Sequence, residues 1–600
     1  MRQKILTILF FIFLFSNCAR AENLENLQCD VAIAGGGIGG TTAAIAAART
    51  GADVCLFSEN DWLGGMLTAA GISGIDGSRK NLHGIFAEFV EKIKKNYENS
   101  GENLGHCTVS YLCFEPKIGD EVLKKMVANE KNIRVFFDAN FRNVRREKNK
   151  ILGFSGNLNN EKNFSVRAKI TIDATDFGEI INLGKIPHDL GFDKNSDEPS
   201  AKKAPHEIQP ITFAAILKNF DAPQKISRPK NYDEENFLCA IPNEKCPRSN
   251  SKFSLDGEIY GLQKYAALPN GKFLLNIPSH SFGNDFAISE KIFNKKFRRQ
   301  IFADAKNFTR GFLWYLHEIH GLKNLNFTDD FDTADKMAKI PYVRESRRIH
   351  GIRRLTENDI LPNFKKNAPV EKNGIAVGSY PIDLHFGARG CGDIFKKVEP
   401  YQIPFETLVP EKIDGFLAGT GKLISVSHIV NGTTRLQQIE SYIGQAAGIA
   451  AAISAAEKKE PREISVEKIQ QQILAQNGRI IFVKNFPPNS PFFKKVQKLL
   501  VAGILTREKN SEFPLFEFVS NLEIDSFVRK LPDGPDGIRI KKMEKQQKIS
   551  RGDFAKNFPE LSPPDFSKNC EKPIQKKDLI AIADFALQKN FVSQNFDFEN

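Results

Sequence analysis

Apolar and polar positions follow one another along this chain in a strand, turn, helix rhythm. Cys29-Asp30-Val31-Ala32-Ile33-Ala34 is a short apolar run that enters Gly35-Gly36-Gly37-Ile38-Gly39-Gly40 and leaves as Thr41-Thr42-Ala43-Ala44-Ile45-Ala46-Ala47-Ala48. The run predicts a buried strand, the glycines a tight turn, and the small apolar residues behind them a closely packed helix. A second strand, Asp53 to Phe57, follows Gly51 and completes a β-α-β unit. Ile133 to Phe137 predicts a further strand, Arg142 to Gly156 a hairpin, and Ala168 to Ile172 a buried strand that ends in the small-residue turn Asp173-Ala174-Thr175-Asp176. Gly415 to Gly421 predicts a strand rising to a polar turn, with an Ala-rich helix beyond it through Gly444 and Gly448. Strands that alternate with helical stretches point to an α/β fold.

The glycine spacing carries a mechanism. Gly35 permits the sharp turn, Gly37 lets the backbone approach a pyrophosphate with no side chain in the way, and Gly40 lets the helix pack against the strand, with Gly39 in the same loop. The helix amino terminus then faces the phosphates with its free N–H groups. This is the pattern of a Rossmann-type dinucleotide site. The acid expected at the end of the second strand, to bind the adenosine ribose, falls on Ser58, and Glu59 stands one position later. Either Glu59 reaches the ribose through a small bulge or Ser58 makes a weaker hydrogen bond; a plain surface charge at Glu59 is the third reading.

Several remote segments resemble parts of flavoproteins of the two-dinucleotide-binding class. Asp61-Trp62-Leu63-Gly64-Gly65-Met66-Leu67-Thr68 resembles the Gly-Gly turn that continues their FAD site, which typical nicotinamide folds lack. Asp173 to Asp176 resembles their second motif, with Asp176 in place of the commoner Gly. Gly415 to Gly421, Ser427 to Leu436 and Gly444 to Gly448 resemble the returning strand and helix that lie near the isoalloxazine ring, where the helix dipole favours negative charge on reduced flavin. Together with Gly283-Asn284-Asp285, Pro341-Tyr342-Val343-Arg344-Glu345-Ser346-Arg347-Arg348 and Ser379 to His385, these motifs span most of residues 29 to 455. They are similar to those of the FAD-dependent oxidoreductase family, some of whose bacterial members are labelled xanthan-lyase-like. The resemblance implies a bound, dissociable FAD held by Gly35, Gly37, Gly39, Gly40, Ser58 or Glu59, Gly64, Gly65, Met66, Ala174, Thr175, Asp176, Gly419, Asn431, Gly432 and Gly444. The expected plan is a Rossmann-type FAD-binding domain over residues 29–190 and 400–456, an inserted mixed α+β substrate or cap domain over 191–399, and a helical carboxy-terminal appendage over 460–600.

A flavin carries its own redox chemistry, so the protein mainly orients substrate and manages protons. His428, in the segment that returns toward the ring, is the first candidate to donate a proton or hydrogen bond, with a packed or capping histidine as the alternative. Arg344, Arg347 and Arg348 beside Glu345 form a basic cluster that either grips a carboxylate or pyrophosphate or closes an internal ion-pair network. Asp383 and His385, two apart in a strand-like segment, point to one face and can share a proton or form a structural pair. Arg435 and Glu440 read as a brace between turn and helix. No CxxC pair occurs, so no zinc site is expected.

The amino terminus combines Arg2 and Lys4, an apolar run from Ile5 to Phe15, and Ala19-Arg20-Ala21, the pattern of a signal peptide cleaved after Ala21. That run is shorter than the ~20 residues a membrane-crossing helix needs. A periplasmic or secreted protein is expected; lipid attachment at Cys18 is disfavoured by Phe15 and Asn17. In an oxidising compartment Cys107 with Cys113 and Cys239 with Cys246 can close small loops, and isolated buried thiols are the other reading. The net charge of +12 is spread along the chain, which favours a solvated surface over nucleic acid. Pro491 to Ile504 and Ile549 to Ala555 resemble helices of a degenerate S-layer-homology module; a helical appendage packed on the catalytic body is preferred. The expected function is an exported FAD-dependent oxidoreductase that acts on a small molecule or sugar-like group by hydride transfer to flavin, with an unknown electron acceptor. The alternative is an envelope polysaccharide-binding protein with a vestigial flavin site.

Overall fold

The computed structural model describes residues 24–503, apart from short internal stretches of which 241–259 and 362–369 are the longest, and scattered positions between 554 and 582. The leader pattern at 1–21 with Cys18, Cys246, and all of Ile549 to Ala555 except Phe554 lie outside the described residues.

Strands β1 (Leu27–Ala34) and β2 (Val54–Phe57) pair in parallel from Val31↔Val54 to Ala34↔Phe57, joined by helix α1 (Ile38–Arg49). Helices α2 (Gly84–Ser100) and α3 (Pro116–Ala128) lead to β3 (Ile133–Phe136), which lies parallel to β2. The chain then turns through an antiparallel meander of β4 (Ala139–Glu147), β5 (Lys150–Leu158) and the long β6 (Lys162–Asp173). β6 also runs parallel to β1, Ala34 facing Asp173, and the return strand Phe416–Ala418 pairs in parallel with its last residues. The order is therefore β3-β2-β1-β6-β5-β4 with the return strand on β6. β2 and the second half of β1 are buried along their whole length, as parallel strands covered on both faces must be. This is an α/β, Rossmann-type sheet, and the carboxyl ends of β1, β6 and the return strand stand side by side at Ala34, Asp173 and Ala418. Ligands of such sheets bind in the crevice outside those ends.

The return helix, Gln437–Glu457, lies along α1 with little side chain between the two backbones. A Cβ added to Gly444 would stand 2.1 Å from the Gly39 carbonyl oxygen, and one added to Gly448 would stand 2.1 Å from that of Ala43. Small residues spaced on this face let the helices close, and the seam locks the return segment to the glycine turn.

A second, four-stranded antiparallel sheet runs Ala267–Leu268, Lys272–Leu275, Ala215–Asn219, Leu325–Phe327. Its residues alternate as strand geometry requires. Ala215, Leu217, Phe273 and Leu275 cluster with Phe312, Leu313 and Leu316 of the helix Lys295–Glu318, while Ile216 and Leu274 turn to Trp62, Met66 and Ala69. That second face sets this layer against the Gly64-Gly65 segment. Helix Val466–Ala475 and helix Phe493–Val501 bury Ile469, Ile473, Val496, Leu499 and Leu500 in the cluster that holds the parallel sheet. The segment that resembles the first S-layer helix thus packs on the main body. Cys107 is bonded to Cys113, Cys29 to Cys55 across β1 and β2, and Cys239 is also disulfide-bonded. No helix among the described residues is long and apolar enough to cross a membrane.

Candidate active site

Four glycine-bearing segments that are remote in sequence meet at the sheet's carboxyl edge. Gly35 takes φ +104°, and a Cβ there would lie 2.3 Å from the Ala174 carbonyl oxygen; at Gly40 it would lie 1.9 Å from that of Gly35. No side chain fits at either position. Gly64 donates its N–H to the Gly36 carbonyl at 2.8 Å, and a Cβ on Gly65 would lie 2.8 Å from the Gly37 Cα. Gly39 faces the Gly419 carbonyl oxygen, 2.6 Å from its would-be Cβ. Gly37 differs from its neighbours: nothing comes nearer to its would-be Cβ than 3.8 Å, and no side chain caps the amino terminus of α1 at this residue. An open approach in front of an uncapped helix terminus, at the carboxyl edge of a parallel sheet, fits a pyrophosphate.

The flanking positions divide the labour. Ser58 is buried and donates to the Trp62 carbonyl at 3.1 Å, under Gly36, so its hydroxyl is engaged within the turn. Glu59 is partly exposed; burial in its cleft and the neighbouring Asp176 and Glu179 push its carboxyl up to about 8. The Asp173 carboxylate accepts from the Thr175 amide and hydroxyl at 3.0 and 2.8 Å and from the Ile181 amide at 2.9 Å, bracing the turn that contains Ala174. Asp176 pairs with buried Lys422, whose ammonium also lies 3.7 Å from Glu440. Burial opposes the charge on Lys422, yet Asp176 and Glu440 raise its pKa; the Glu440 carboxyl is in turn pushed up to about 7, burial outweighing Lys422. Met66 is buried against the second layer.

At the amino-terminal end of the return helix a cavity of about 110 Å³ opens. Asp76, Tyr342, Arg344, Tyr380, Asp383, His385 and Arg435 line it, with Ile72, Val109, Ala266, Leu274 and Leu436 as its apolar wall. His385 Nε2 lies 3.1 Å from Asp383 Oδ2 and Nδ1 lies 3.5 Å from Asp285. Burial disfavours the imidazolium, but Asp383 outweighs it and raises the His385 pKa. Burial would raise the Asp383 carboxyl as well; His385 and Arg435 hold it well below the usual carboxylate range. Burial together with Asp383 pushes Asp76 up to about 7. Asn431 donates to the Arg344 carbonyl at 3.0 Å and Gly432 lies against Asp383 and Leu384, so both make their contacts on the cavity side.

His428 does not line this cavity. It begins the short helix His428–Thr434, is 1% exposed, and its Nδ1 lies 3.2 Å from Glu345 between Phe192 and Phe386. Burial alone would raise the Glu345 carboxyl; His428, Arg348 and the Gln209 amide hold it at about 2. The basic cluster splits likewise. Arg348 is spent on Asp193, Glu345 and the carbonyls of Gly191 and Val426, and Arg347 on those of Phe177 and Phe293, which is the internal network. Arg344 alone of the three lines the cavity.

Sequence reasoning had not singled out Asp76, Tyr342, Tyr380, Asn276 or Lys422 as site residues. Tyr342 and Tyr380 do sit inside motifs that carry the family resemblance, which was the available signal. Lys422 and Asp76 gave none, because their partners are Asp176 and residues near 383 and 435.

A parallel sheet with a glycine turn at its edge, an uncapped helix terminus and a polar cavity beside a second layer defines a dinucleotide-binding oxidoreductase architecture. The family comparison names the class more closely. Residues 30–473 match the FAD dependent oxidoreductase family, and the chain belongs to that family. No curated protein matches the chain. Among solved structures, the flavin-dependent brominase Bmp2 is 14% identical, with 34% of this chain and 48% of that one covered at a TM-score of 0.24. The p-nitrophenol 4-monooxygenase PnpA from Pseudomonas putida DLL-E4 is 10% identical, with 33% and 48% covered and a TM-score of 0.21. A geranylgeranyl bacteriochlorophyll reductase-like protein from Thermoplasma acidophilum is 12% identical, with 86% and 99% covered and a TM-score of 0.33. The chain thus spans about half the length of the first two. At these scores the likenesses add nothing to the family assignment.

Proposed function

We propose that this chain is an exported enzyme that holds FAD across the glycine turns and moves a hydride between it and a small molecule lodged in the cavity beside the return helix. The observation that carries the reading is the meeting of the Gly35–Gly40, Gly64–Gly65, Gly419 and Gly444 segments beside a cavity lined by a coupled Asp383–His385 pair. The amino terminus of α1 would hold the pyrophosphate and Glu59 the ribose, with Gly64 to Met66 and the amino terminus of the return helix flanking the ring. When bound, FAD supplies two-electron chemistry. The chain's own residues do the rest. Arg344 and Arg435, paired with Asp285 and Asp383, fix the carboxylates of the cavity wall, and His385 Nε2, kept basic by Asp383, holds or releases a proton. Tyr342 and the second sheet exclude water. Export is supported by the leader pattern and by the disulfides Cys29–Cys55 and Cys107–Cys113, which oxidising compartments permit.

Expressed with its own leader, the protein should be recovered outside the cytoplasm beginning at Glu22, yellow, with close to one FAD per chain released on denaturation and bleached by dithionite. A colourless protein refutes the flavoenzyme reading, and a chain retaining Met1 refutes export.

A further inference from the structure

The ionised groups that line the cavity are matched to one another, with one exception. Asp285 and Asp383 each take a guanidinium, that of Arg344 at 2.8 Å and that of Arg435 at 3.2 Å, and His385 stands between the two carboxylates at 3.5 and 3.1 Å. Asp76 is the further carboxyl on the lining, and it has no hydrogen bond or ion pair among the described residues. It is partly exposed, so its oxygens can be reached. Its backbone is nonetheless fixed. The Ile75 amide donates to the Leu112 carbonyl at 2.9 Å, Gln437 Nε2 donates to the Gly74 carbonyl at 3.0 Å, and Gly77, at φ +107°, packs on Gln438. A carboxyl drawn out of bulk water without a counter-charge costs stability, and a cation from outside the chain offsets that cost.

The rest of the lining suits an organic cation. Tyr265, Tyr342 and Tyr380 line the same space, and aromatic faces attract such cations. The Tyr380 hydroxyl, which also makes no hydrogen bond among the described residues, is a second acceptor beside Asp76. We infer that the ligand of this cavity is an organic amine, held as its ammonium by the Asp76 carboxylate and the Tyr380 hydroxyl against the tyrosine-bearing wall. An anion would meet Asp76 with both guanidiniums already paired, and a neutral alcohol leaves the carboxylate without a counter-charge. This inference rests on the reading of the cavity as the substrate site and names the class of that substrate; its test is independent of flavin.

The full-length protein is titrated calorimetrically at pH 8 with butylamine and benzylamine and with the matching alcohols, butanol and benzyl alcohol, and its flavin content is measured separately. At least one amine should bind saturably and about tenfold or more tighter than its alcohol, the change expected when a charge-assisted hydrogen bond is lost. The pH dependence is a second readout. Burial and Asp383 push the Asp76 carboxyl up to about 7 against the pull of Arg435, and the phenols that face it, Tyr111, Tyr265, Tyr342 and Tyr380, are all pushed above their usual range and stay neutral. Alkylammonium groups keep their charge at these pH values, so affinity should fall about tenfold from pH 8 to pH 6 as Asp76 takes up a proton. Asp76→Asn should abolish both the preference for amine and its pH dependence, with a thermal midpoint no lower than wild type, because the chain makes no hydrogen bond to this carboxyl. A pH dependence retained in that variant would belong to His385 and would overturn the assignment to Asp76. Equal binding of amine and alcohol, or no binding of either amine, overturns the inference, and that comparison needs no variant. A yellow protein that binds neither amine sinks this inference alone. A colourless protein that binds an amine sinks the flavoenzyme reading and leaves the site.

Discussion

Gly444→Ala tests the seam on which the site depends. The new methyl would stand 2.1 Å from the Gly39 carbonyl oxygen and 2.6 Å from the Thr42 hydroxyl oxygen. The first contact is to backbone and cannot rotate aside, so α1 and the return helix must separate by roughly 1 Å, an overpacking that costs up to about 3 kcal/mol. Alanine in place of glycine in a helix interior returns about 1 kcal/mol, leaving a net loss of about 2 kcal/mol. Gly39 lies within the glycine turn, so the separation also displaces the helix terminus that would meet the pyrophosphate. Thermal unfolding and the flavin-to-protein absorbance ratio report the two effects. Gly448→Ala, one turn farther along the same seam and 2.1 Å from the Ala43 carbonyl oxygen, should cost similar stability while keeping more of the flavin. If Gly444→Ala keeps wild-type stability and full flavin, the close crossing is refuted.

Two further expectations concern buried charge. Glu440, pushed up to about 7 from 4.5, favours the folded state while protonated, a contribution complete below about pH 4.5 and lost as pH rises through 7. Glu345, held at about 2, contributes above 4.5 and loses that contribution as pH falls toward 2. Each is worth on the order of 3 kcal/mol, so the thermal midpoint should peak near pH 5 and fall on both sides; a calorimetric series flat from pH 3 to 8 would contradict this. Arg348→Met leaves buried Glu345 short of a counter-charge and half-buried Asp193 with Arg354 alone, and should cost about 3–5 kcal/mol in urea unfolding. A loss below about 1 kcal/mol would show the pair to be dispensable.

Local features were legible because their causes are local. Strand β1, the turn at Gly35 and helix α1 sit where the apolar run and glycine spacing put them, since φ +104° at Gly35 and the crossing at Gly40 tolerate only glycine. The helix expected within Pro491 to Ile504 appears as Phe493–Val501. Asp383 and His385, two residues apart at the end of a strand, come within 3.1 Å. The disulfide Cys107–Cys113 closes a loop short enough to be anticipated, whereas Cys29 and Cys55 are 26 residues apart and become neighbours only when β1 and β2 pair.

The sequence by itself determined the α/β class, the dinucleotide turn and the family, because each rests on residues close enough in the chain for spacing to be read as geometry. It could not separate the three arginines of residues 344–348, which look alike as a cluster. Tertiary packing decided that Arg348 and Arg347 are spent on carboxylates and carbonyls away from the cavity, while Arg344, itself paired with Asp285, lines the cavity with Arg435. It also moved His428 out of that cavity and onto Glu345. The physical reason is the same throughout. Whether a buried charge is structural or available depends on which partners saturate it, and those partners lie many tens of residues away, brought near only by the closing of the whole fold.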